Sequence, residues 1–190
     1  MNLIPYLAAG FGIVGALIYL ATIYNGLVGL RNDIDKAWSN IDVLLKQRYD
    51  ELPRLIEVCK GYMQYEAKTL QALMEARARY TLANTVAQKG TAGGNLTGSV
   101  NDLFAVAEHY PQLKANESFL EIQQRITELE SQIADRREYY NDAINLFNTR
   151  IQEMPDKIVA GAMGLRPRAM FPVSAKERQA VSATLTASRA

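Results

Sequence analysis

Cysteine and histidine, the side chains that most often act as nucleophiles, bases and metal ligands, each occur once in this chain of 190 residues. One cysteine, Cys59, allows no disulfide within the chain, and one histidine, His109, allows no multi-histidine metal site. Catalysis by His109 would need a second group positioned beside it, and the adjoining sequence offers none. Because Cys59 falls on an apolar seam, we interpret it as a buried hydrophobic residue and His109 as a surface residue.

Other kinds of reactive site also lack their motifs. A di-metal site in a helical bundle needs Glu-x-x-His, which the sequence does not contain, and Glu108-His109 has the wrong spacing. The glycines between Gly90 and Gly98 are not followed by the lysine of a phosphate-binding loop. The net charge of +1 gives no field that would attract nucleic acid. The sequence therefore predicts a non-enzymatic protein with no catalytic residues, metal, cofactor, nucleic-acid partner or small-molecule substrate.

The N-terminal segment, residues 1–30, contains no Asp, Glu, Lys or Arg. Residues 3–23 are apolar over about 20 positions, which is enough for a helix to cross a bilayer. A cleaved signal peptide would carry Lys or Arg before this stretch and a small-residue cleavage site after it, and neither is present. We therefore predict a transmembrane anchor over residues 1–24, with the lipid bilayer as a partner.

The anchor sequence also suggests an orientation and a contact surface. Arg31 and Lys36 follow the span, so the positive-inside rule predicts an external N-terminus and a cytoplasmic body. Ala8, Gly12 and Ala16 are spaced by four and share one helix face, where small residues let two membrane helices approach closely. These three residues are the candidates for association in the membrane, although Gly and Ala are common in membrane helices without that role.

Beyond the anchor, apolar residues recur in steps of three and four, which is typical of long helices packed side by side. The first series lies within residues 31–87, where Pro53 predicts a kink or the start of a new helix. The second series runs from Phe119 to Ile151 and should end before Pro155. The two matching seams predict antiparallel helices. The members of the first seam are Ile34, Trp38, Ile41, Leu45, Tyr49, Leu52, Ile56, Cys59, Met63, Leu70, Leu73 and Tyr80.

The segments between and after these series have a different composition. Residues 88–99 (QKGTAGGNLTGS) are rich in Gly and Thr and are predicted to form a flexible loop. Ser99 and Asp102 resemble a capping box, which predicts a short helix over residues 100–108. Residues 173–190 are predicted to be a disordered tail. The predicted fold class is all-α, with an N-terminal transmembrane helix and then a long antiparallel, coiled-coil-like bundle of four-helix type over residues 25–172.

Two groups of polar residues are candidates for contacts. The first group lies at or near seam positions, where an unpaired buried polar group costs about 1–3 kcal/mol, and either sets the bundle register or contacts neighbouring protomers. Its members are Glu66, Arg77, Arg137, Asn141, Asn145 and Asn148. The second group mixes basic and apolar side chains that either touch a membrane surface or cover the end of the bundle. Its members are Arg166, Arg168, Met170 and Phe171.

Several short strings, taken together, resemble the LemA family. They are Tyr24-Asn25 with Leu27-Val28, Ala37-Trp38-Ser39 with Ile41-Asp42-Val43, Leu52-Pro53 with Leu55, Lys60-Gly61-Tyr62, Tyr110-Pro111 with Leu113-Lys114-Ala115-Asn116 and Phe119, and Arg137 with Tyr140-Asn141. The resemblance spans about residues 20–172, and the residues after Phe171 are not part of the shared pattern. It implies a single-pass protein of the bacterial cytoplasmic membrane with an antiparallel helical bundle and no established catalytic residues.

The resemblance also bears on function. One magnetosome-associated relative in that family indicates membrane organisation, and genes for membrane metalloproteases often lie near those of LemA-like proteins. We therefore expect a homo-oligomeric scaffold that organises the envelope or membrane. The alternative is a membrane-tethered adaptor or regulator of another membrane protein, such as a protease. A third hypothesis is an enzyme with unusual residues, whose site would have to lie between subunits because one chain offers no catalytic constellation.

Overall fold

The computed structural model describes residues 3–63 and 65–172, and the tail predicted to be disordered lies outside them. Within these ranges the chain forms helices and short connections, with no strand. The helices are α1 (Ile4–Lys60), α2 (Ala67–Thr81), α3 (Val86–Ala107), α4 (Pro111–Lys114), α5 (Glu117–Arg150) and α6 (Asp156–Ala162). The predicted all-α fold class is confirmed.

Two compact units share the long helices α1 and α5. The first, called unit 1, comprises residues 1–39 and 139–170, and the second, called unit 2, comprises residues 40–138 and the residues after Met170. α1 therefore contributes its first part to unit 1 and its last part to unit 2, and α5 does the reverse.

Unit 1 pairs the first part of α1 with the end of α5 in antiparallel fashion. Trp38 packs against Tyr140, with 6.1 Å between ring centroids. Twelve residues earlier on α1, a Cβ built on Gly26 would lie 3.3 Å from Nη1 of Arg150. Ile23, Leu27 and Ile34 are buried, whereas the large apolar side chains from Leu3 to Leu20 are exposed. The Met154–Pro155 peptide bond is cis, and α6 follows it.

Unit 2 is a four-helix bundle with alternating helix directions. Arg48 pairs with Glu130 and Arg54 with Glu121, so α1 and α5 are antiparallel here too. Tyr49 contacts Tyr80 near the end of α2, and α3 returns from α2 after a short connection. The core is continuous and draws on all four helices. Its fully buried members include Leu52, Leu55, Cys59, Leu73, Leu96, Leu103, Leu113 and Ile126.

Pro53 does not end α1, which continues to Lys60. The proline is exposed, so the carbonyl group that it leaves without a helical partner lies on a face that water can reach. The interruption between the two halves of the first seam lies instead at residues 61–66, which begin with Gly61. The first seam therefore belongs to two helices, α1 and α2.

The predicted loop over residues 88–99 is wrong, because these residues lie within α3. The helix begins at a capping box, in which the Gln88 amide donates to the Thr85 hydroxyl and the Thr85 amide donates to the Gln88 side chain, both at 3.2 Å. The predicted capping box at Ser99 lies inside the same helix. Gly90 and Gly93 are buried, so these glycines allow close packing, not loop flexibility.

Candidate functional site

A buried arginine is the most unusual polar feature of unit 2. Arg48 on α1 is 1% exposed and lies between the apolar core residues Leu45 and Leu52. Its Nη1 donates to the Glu130 carboxylate at 2.5 Å and to the Thr97 hydroxyl at 2.7 Å, and its Nη2 donates to the Gly93 carbonyl at 3.3 Å. Because an unpaired buried charge is very costly, these partners are required for Arg48 to stay in the core.

Thr97 and Glu130 complete this network from α3 and α5. The Thr97 hydroxyl lies 3.1 Å from both carboxylate oxygens of Glu130 and 3.1 Å from the Gly93 carbonyl. One short side chain therefore links the carboxylate to the backbone of α3. The network joins three of the four helices of unit 2 through charged hydrogen bonds, which have stricter geometry than apolar contacts.

The sequence of α3 makes room for the arginine. A Cβ on Gly93 would lie 3.4 Å from Nη2 of Arg48 and 3.6 Å from Cδ2 of Leu45. Gly93 therefore lets the α3 backbone approach α1 closely enough for its carbonyl to accept the hydrogen bond from Arg48. Alanine would lie at the edge of ordinary van der Waals contact here, whereas a residue larger than alanine would push α3 away from the guanidinium group.

Phe171 and Pro172, at the end of the described part of unit 2, pack against Gly90 and Arg137 beside this network. We call this cluster of four residues the Gly90 notch. Phe171 is 3% exposed, and the Arg137 guanidinium lies 4.9 Å from its ring centroid. Nη2 of Arg137 also donates to the Pro172 carbonyl at 3.4 Å. A Cβ on Gly90 would lie only 2.6 Å from Cδ and Cγ of Pro172, so the fit depends on glycine.

The space between the arginine network and the Gly90 notch is small. Arg48, Thr97, Arg137 and Phe171 contribute to the lining of a cavity of about 10 Å³. That volume is comparable to one water molecule and leaves no room there for a substrate or cofactor. The arrangement can therefore hold helices in register, and it lacks the features of a reaction centre.

Two of the predicted contact residues in unit 2 are engaged within the chain. Glu66 accepts a hydrogen bond from the Tyr110 hydroxyl at 3.2 Å. The Arg77 guanidinium lies 4.3 Å from the centroid of the Tyr49 ring. Together with Arg137 in the Gly90 notch, both are half-buried. Their contacts support the bundle-register role, and contact with neighbouring protomers stays a prediction.

The predicted asparagines belong to unit 1 and differ from one another. The Asn148 side chain donates to the Arg168 carbonyl and accepts from the Arg168 amide, both at 2.8 Å. This pair of bonds fixes the segment after α6 to α5. Asn141 is half-buried, whereas Asn145 is exposed. The structure therefore assigns a role within the chain to Asn148.

The predicted membrane-surface group is divided by the structure. Phe171 is buried in the Gly90 notch, where its ring packs on Arg137, so contact with a membrane is wrong for this residue and the structure supports the alternative, that it covers part of the bundle. Arg168 is half-buried and pairs with Asp35 at 2.6 Å. Arg166 and Met170 are exposed. For these two residues, contact with a membrane surface stays a prediction.

The predicted association face of the N-terminal segment is exposed. Ala8, Gly12 and Ala16 all lie on α1, and a Cβ on Gly12 would meet no atom within 4 Å. This segment is also the one part of the described residues that is long and apolar enough to cross a membrane. The most apolar window of α1 has a mean hydropathy of 1.9, and 6% of that window is buried.

The Cys59 thiol and the Tyr80 phenol, both in the core, stay neutral at ordinary pH. Burial raises the pKa of the Cys59 thiol to about 11. Burial, together with the nearby Asp42 carboxylate, raises the pKa of Tyr80 to about 12, with Arg48 acting in the opposite direction. His109 is exposed, and its Nδ1 lies 3.3 Å from the Val106 carbonyl. No group of His, Cys, Asp and Glu within residues 3–63 and 65–172 could hold a metal ion.

The buried thiol gives a first testable expectation. At pH 8 the thiolate fraction at a pKa of about 11 is about a hundredfold smaller than at the ordinary value of 9.0, so a maleimide or disulfide reagent should label folded Cys59 at least that much more slowly. The measurement is the labelling rate in buffer and in denaturant. Raising the pH towards 11 should speed labelling of the folded protein, and equal rates in buffer and denaturant would contradict the burial of Cys59.

The arginine network was not among the predicted site residues, although the sequence carries a signal for it. The first seam was read through Tyr49, but the buried position is the preceding residue, Arg48. A step of three from Leu45 and of four to Leu52 would have placed Arg48 on the seam. A charged residue there requires a partner, and Glu130, next to the buried Leu129, was the candidate to consider.

Two kinds of known protein are similar to this chain over most of its length. The chain is 28% identical to Protein LemA of Metamycoplasma hominis over 160 residues, which covers 81% of this chain and 71% of the relative. It is 21% identical to magnetosome proteins MamQ 1 and MamQ 2 of Paramagnetospirillum magneticum over 188 residues, which covers 84% of this chain and 69% of each relative.

The chain also matches the model of a whole protein family. The model of the LemA family matches residues 37–184. The match extends beyond Phe171, so the expectation that the last residues lie outside the shared pattern is wrong. Since the matched range is well over half of the 190 residues, the chain belongs to the LemA family.

Proposed function

We propose that this protein is a non-enzymatic, single-pass membrane protein that self-associates as a scaffold in membrane organisation. The observation that carries the proposal is the exposed apolar segment at the start of α1. Its large side chains face solvent, and a contiguous apolar surface of this kind marks a membrane or interaction site. The side chains concerned are Leu3, Ile4, Tyr6, Leu7, Phe11, Ile13, Val14, Leu17, Ile18, Tyr19 and Leu20.

The continuity of the same helix argues against a cleaved signal peptide. α1 continues without interruption from this segment into the bundle. Ile23 is 5% exposed and Leu27 is fully buried, so the residues just after the apolar stretch belong to the core of unit 1. Cleavage near them would cut through a packed helix. A membrane anchor keeps both the apolar segment and the packing of unit 1.

Membrane organisation is supported by the relatives. Two of the proteins to which the chain is similar are named as magnetosome proteins. Those names apply to the relatives, and we extend to this chain a structural role at a membrane. Arg31 and Lys36 follow the span, and this charge distribution supports a cytoplasmic body and an N-terminus outside the bacterial cytoplasmic membrane.

Self-association is tested by the mass of the full-length protein in native lipid nanoparticles. We expect a discrete assembly larger than one chain. Gly12→Ile should reduce its mass, because a large side chain on the face formed by Ala8, Gly12 and Ala16 keeps two membrane helices apart. Gly10→Ile is the matched control, since it lies on another face of the helix and a Cβ at either glycine would meet no atom within 4 Å.

The outcomes of this experiment separate the hypotheses. A wild-type monomer would contradict the scaffold and leave the adaptor role as the better explanation. A wild-type assembly that both variants preserve would place the contact outside this face of the span. Protein that stays in the soluble fraction, with residues 1–24 present, would contradict the membrane anchor itself.

A further inference from the structure

Arg150 fixes the start of α6 beside residue 26 of α1. A Cβ on Gly26 would lie 3.3 Å from Nη1 and 3.6 Å from Nη2 of Arg150. The same guanidinium group contacts a carboxylate oxygen of Asp156 with Nε at 2.6 Å and Nη2 at 2.5 Å. Asp156 is 8% exposed and is the first residue of α6. The ion pair therefore holds the α5–α6 corner level with Gly26.

Gly26 lies close to the end of the apolar span. It follows Ile23 by three residues, which is about 5 Å along a helix. The headgroup layer on each side of a bilayer is about 5–8 Å thick. If α1 crosses a bilayer as proposed above, the α5–α6 corner lies within the headgroup layer on the side of the body. This step rests on the proposed function.

The corner exposes apolar side chains at that level. α6 turns Asp156 and Ala160 inward, so Ile158, about halfway round the helix from both, faces outward. Ile158 is 60% exposed and Met154 is 69% exposed. Residues 158–165 (IVAGAMGL) contain no charged side chain. An apolar surface of this kind suits the boundary between headgroups and acyl chains better than water.

Basic side chains flank the apolar stretch. Lys157 precedes it and Arg166 follows it, and both are exposed. The exposed acidic residue at the same corner is Glu153, while Asp156 is neutralised by Arg150. The exposed charge of the corner is therefore positive. Basic groups near a membrane surface favour anionic lipid headgroups.

We propose that the α5–α6 corner, formed by Met154, Lys157, Ile158 and Arg166, is a second membrane contact that binds the surface of an anionic phospholipid bilayer. Met154 and Ile158 enter the boundary below the headgroups, and Lys157 and Arg166 bind lipid phosphates. The corner then fixes the tilt of unit 1 on the bilayer, which a single spanning helix cannot do alone. Arg168 and Phe171 take no part, because Asp35 and the Gly90 notch already hold them.

The test measures how close residue 158 comes to lipid in the full-length protein. Single cysteines replace Ile158, Tyr139 or Phe11 in a Cys59→Ala background, each with an attached fluorophore, in nanodiscs of phosphatidylglycerol that contain spin-labelled lipid. Tyr139 is the matched control, since it lies in unit 1, is 56% exposed and precedes Arg150 by about 16 Å along α5. Quenching at residue 158 should be at least about threefold that at residue 139, because interfacial helices bury their apolar face about 5–10 Å deep.

Each outcome has one interpretation. Quenching at residue 11 with none at residue 158 overturns this inference and leaves the membrane anchor intact. No quenching at residue 11 overturns the proposed function, and with it the basis of the inference. Equal quenching at residues 139 and 158 would also overturn the inference, because the membrane contact would then not be confined to the α5–α6 corner.

The electrostatic part has its own comparison. Lys157→Glu combined with Arg166→Glu should lower quenching at residue 158 at least about twofold in phosphatidylglycerol and much less in phosphatidylcholine. Lys46→Glu, at an exposed position in unit 2, is the control and should change nothing. An unchanged signal for the double variant in phosphatidylglycerol would overturn the assignment of the two basic residues to lipid phosphates.

Discussion

Replacing Glu130 by alanine is expected to lower the free energy of unfolding by about 3 kcal/mol, because it leaves Arg48 charged in the core without its carboxylate partner. Arg48 is 1% exposed and Glu130 is 24% exposed, so partial solvation of the carboxylate site keeps the loss towards the lower end of the range for buried pairs. For a chain of this size the midpoint of thermal unfolding should fall by roughly 10 °C. Circular dichroism of the full-length protein in mild detergent measures it.

The same network predicts a rescue. The double variant Arg48→Met/Glu130→Leu replaces the ion pair with apolar side chains of similar volume. Its free energy of unfolding should be close to that of the wild type. Glu138→Ala is the surface control on α5 and should shift stability by no more than about 0.5 kcal/mol. A double variant no more stable than Glu130→Ala would show that the network does more than keep the arginine paired.

The second large effect concerns two glycines of one helix and should differ in sign between them. Gly90→Ala places a Cβ only 2.6 Å from Pro172 and 3.2 Å from Phe171, so either these residues move out of the notch or α3 shifts. We expect a loss of about 1–3 kcal/mol, as for other overpacked positions. Gly98→Ala meets no atom within 4 Å and should stabilise α3 by about 1 kcal/mol through helix propensity.

A fluorine label on the ring of Phe171 distinguishes the two ways in which Gly90→Ala can act. Phe171 is 3% exposed in the wild type, so its fluorine resonance should shift little between H2O and D2O. If the added methyl group displaces Phe171 and Pro172, this solvent-isotope shift should rise to that of an exposed ring, while the circular dichroism of the helices stays unchanged. If Gly90→Ala stabilised the protein as Gly98→Ala does, the close packing described for the notch would be incorrect.

The sequence was most informative where apolar spacing alone decides the structure. The second seam gave α5, because Phe119, Ile126 and Ile133 are buried at the expected steps. The uncharged N-terminal segment likewise gave the exposed apolar part of α1. In these regions local pattern and final packing agree, so no knowledge of distant residues is needed.

Prediction from the sequence failed where the role of a residue depends on a partner that is distant along the chain. The glycines of α3 indicated a loop, yet Gly93 makes room for Arg48 and Gly90 for Pro172. Arg48 itself stands out only when Glu130 and Thr97 are known to lie beside it. Composition reports the intrinsic flexibility of glycine, and it cannot report that two other segments of the chain pack closely against Gly90 and Gly93.

The glycine-rich composition of α3 has a consequence for the order in which the chain folds during synthesis. A helix with low intrinsic propensity depends on its neighbours, and the neighbours of α3 include Glu130 and Phe171, which leave the ribosome later than α3 itself. The first half of unit 2 therefore emerges with Arg48 still lacking its carboxylate. Its native packing is completed only when nearly all of the described chain has been synthesised, which makes the nascent protein dependent on its last segments.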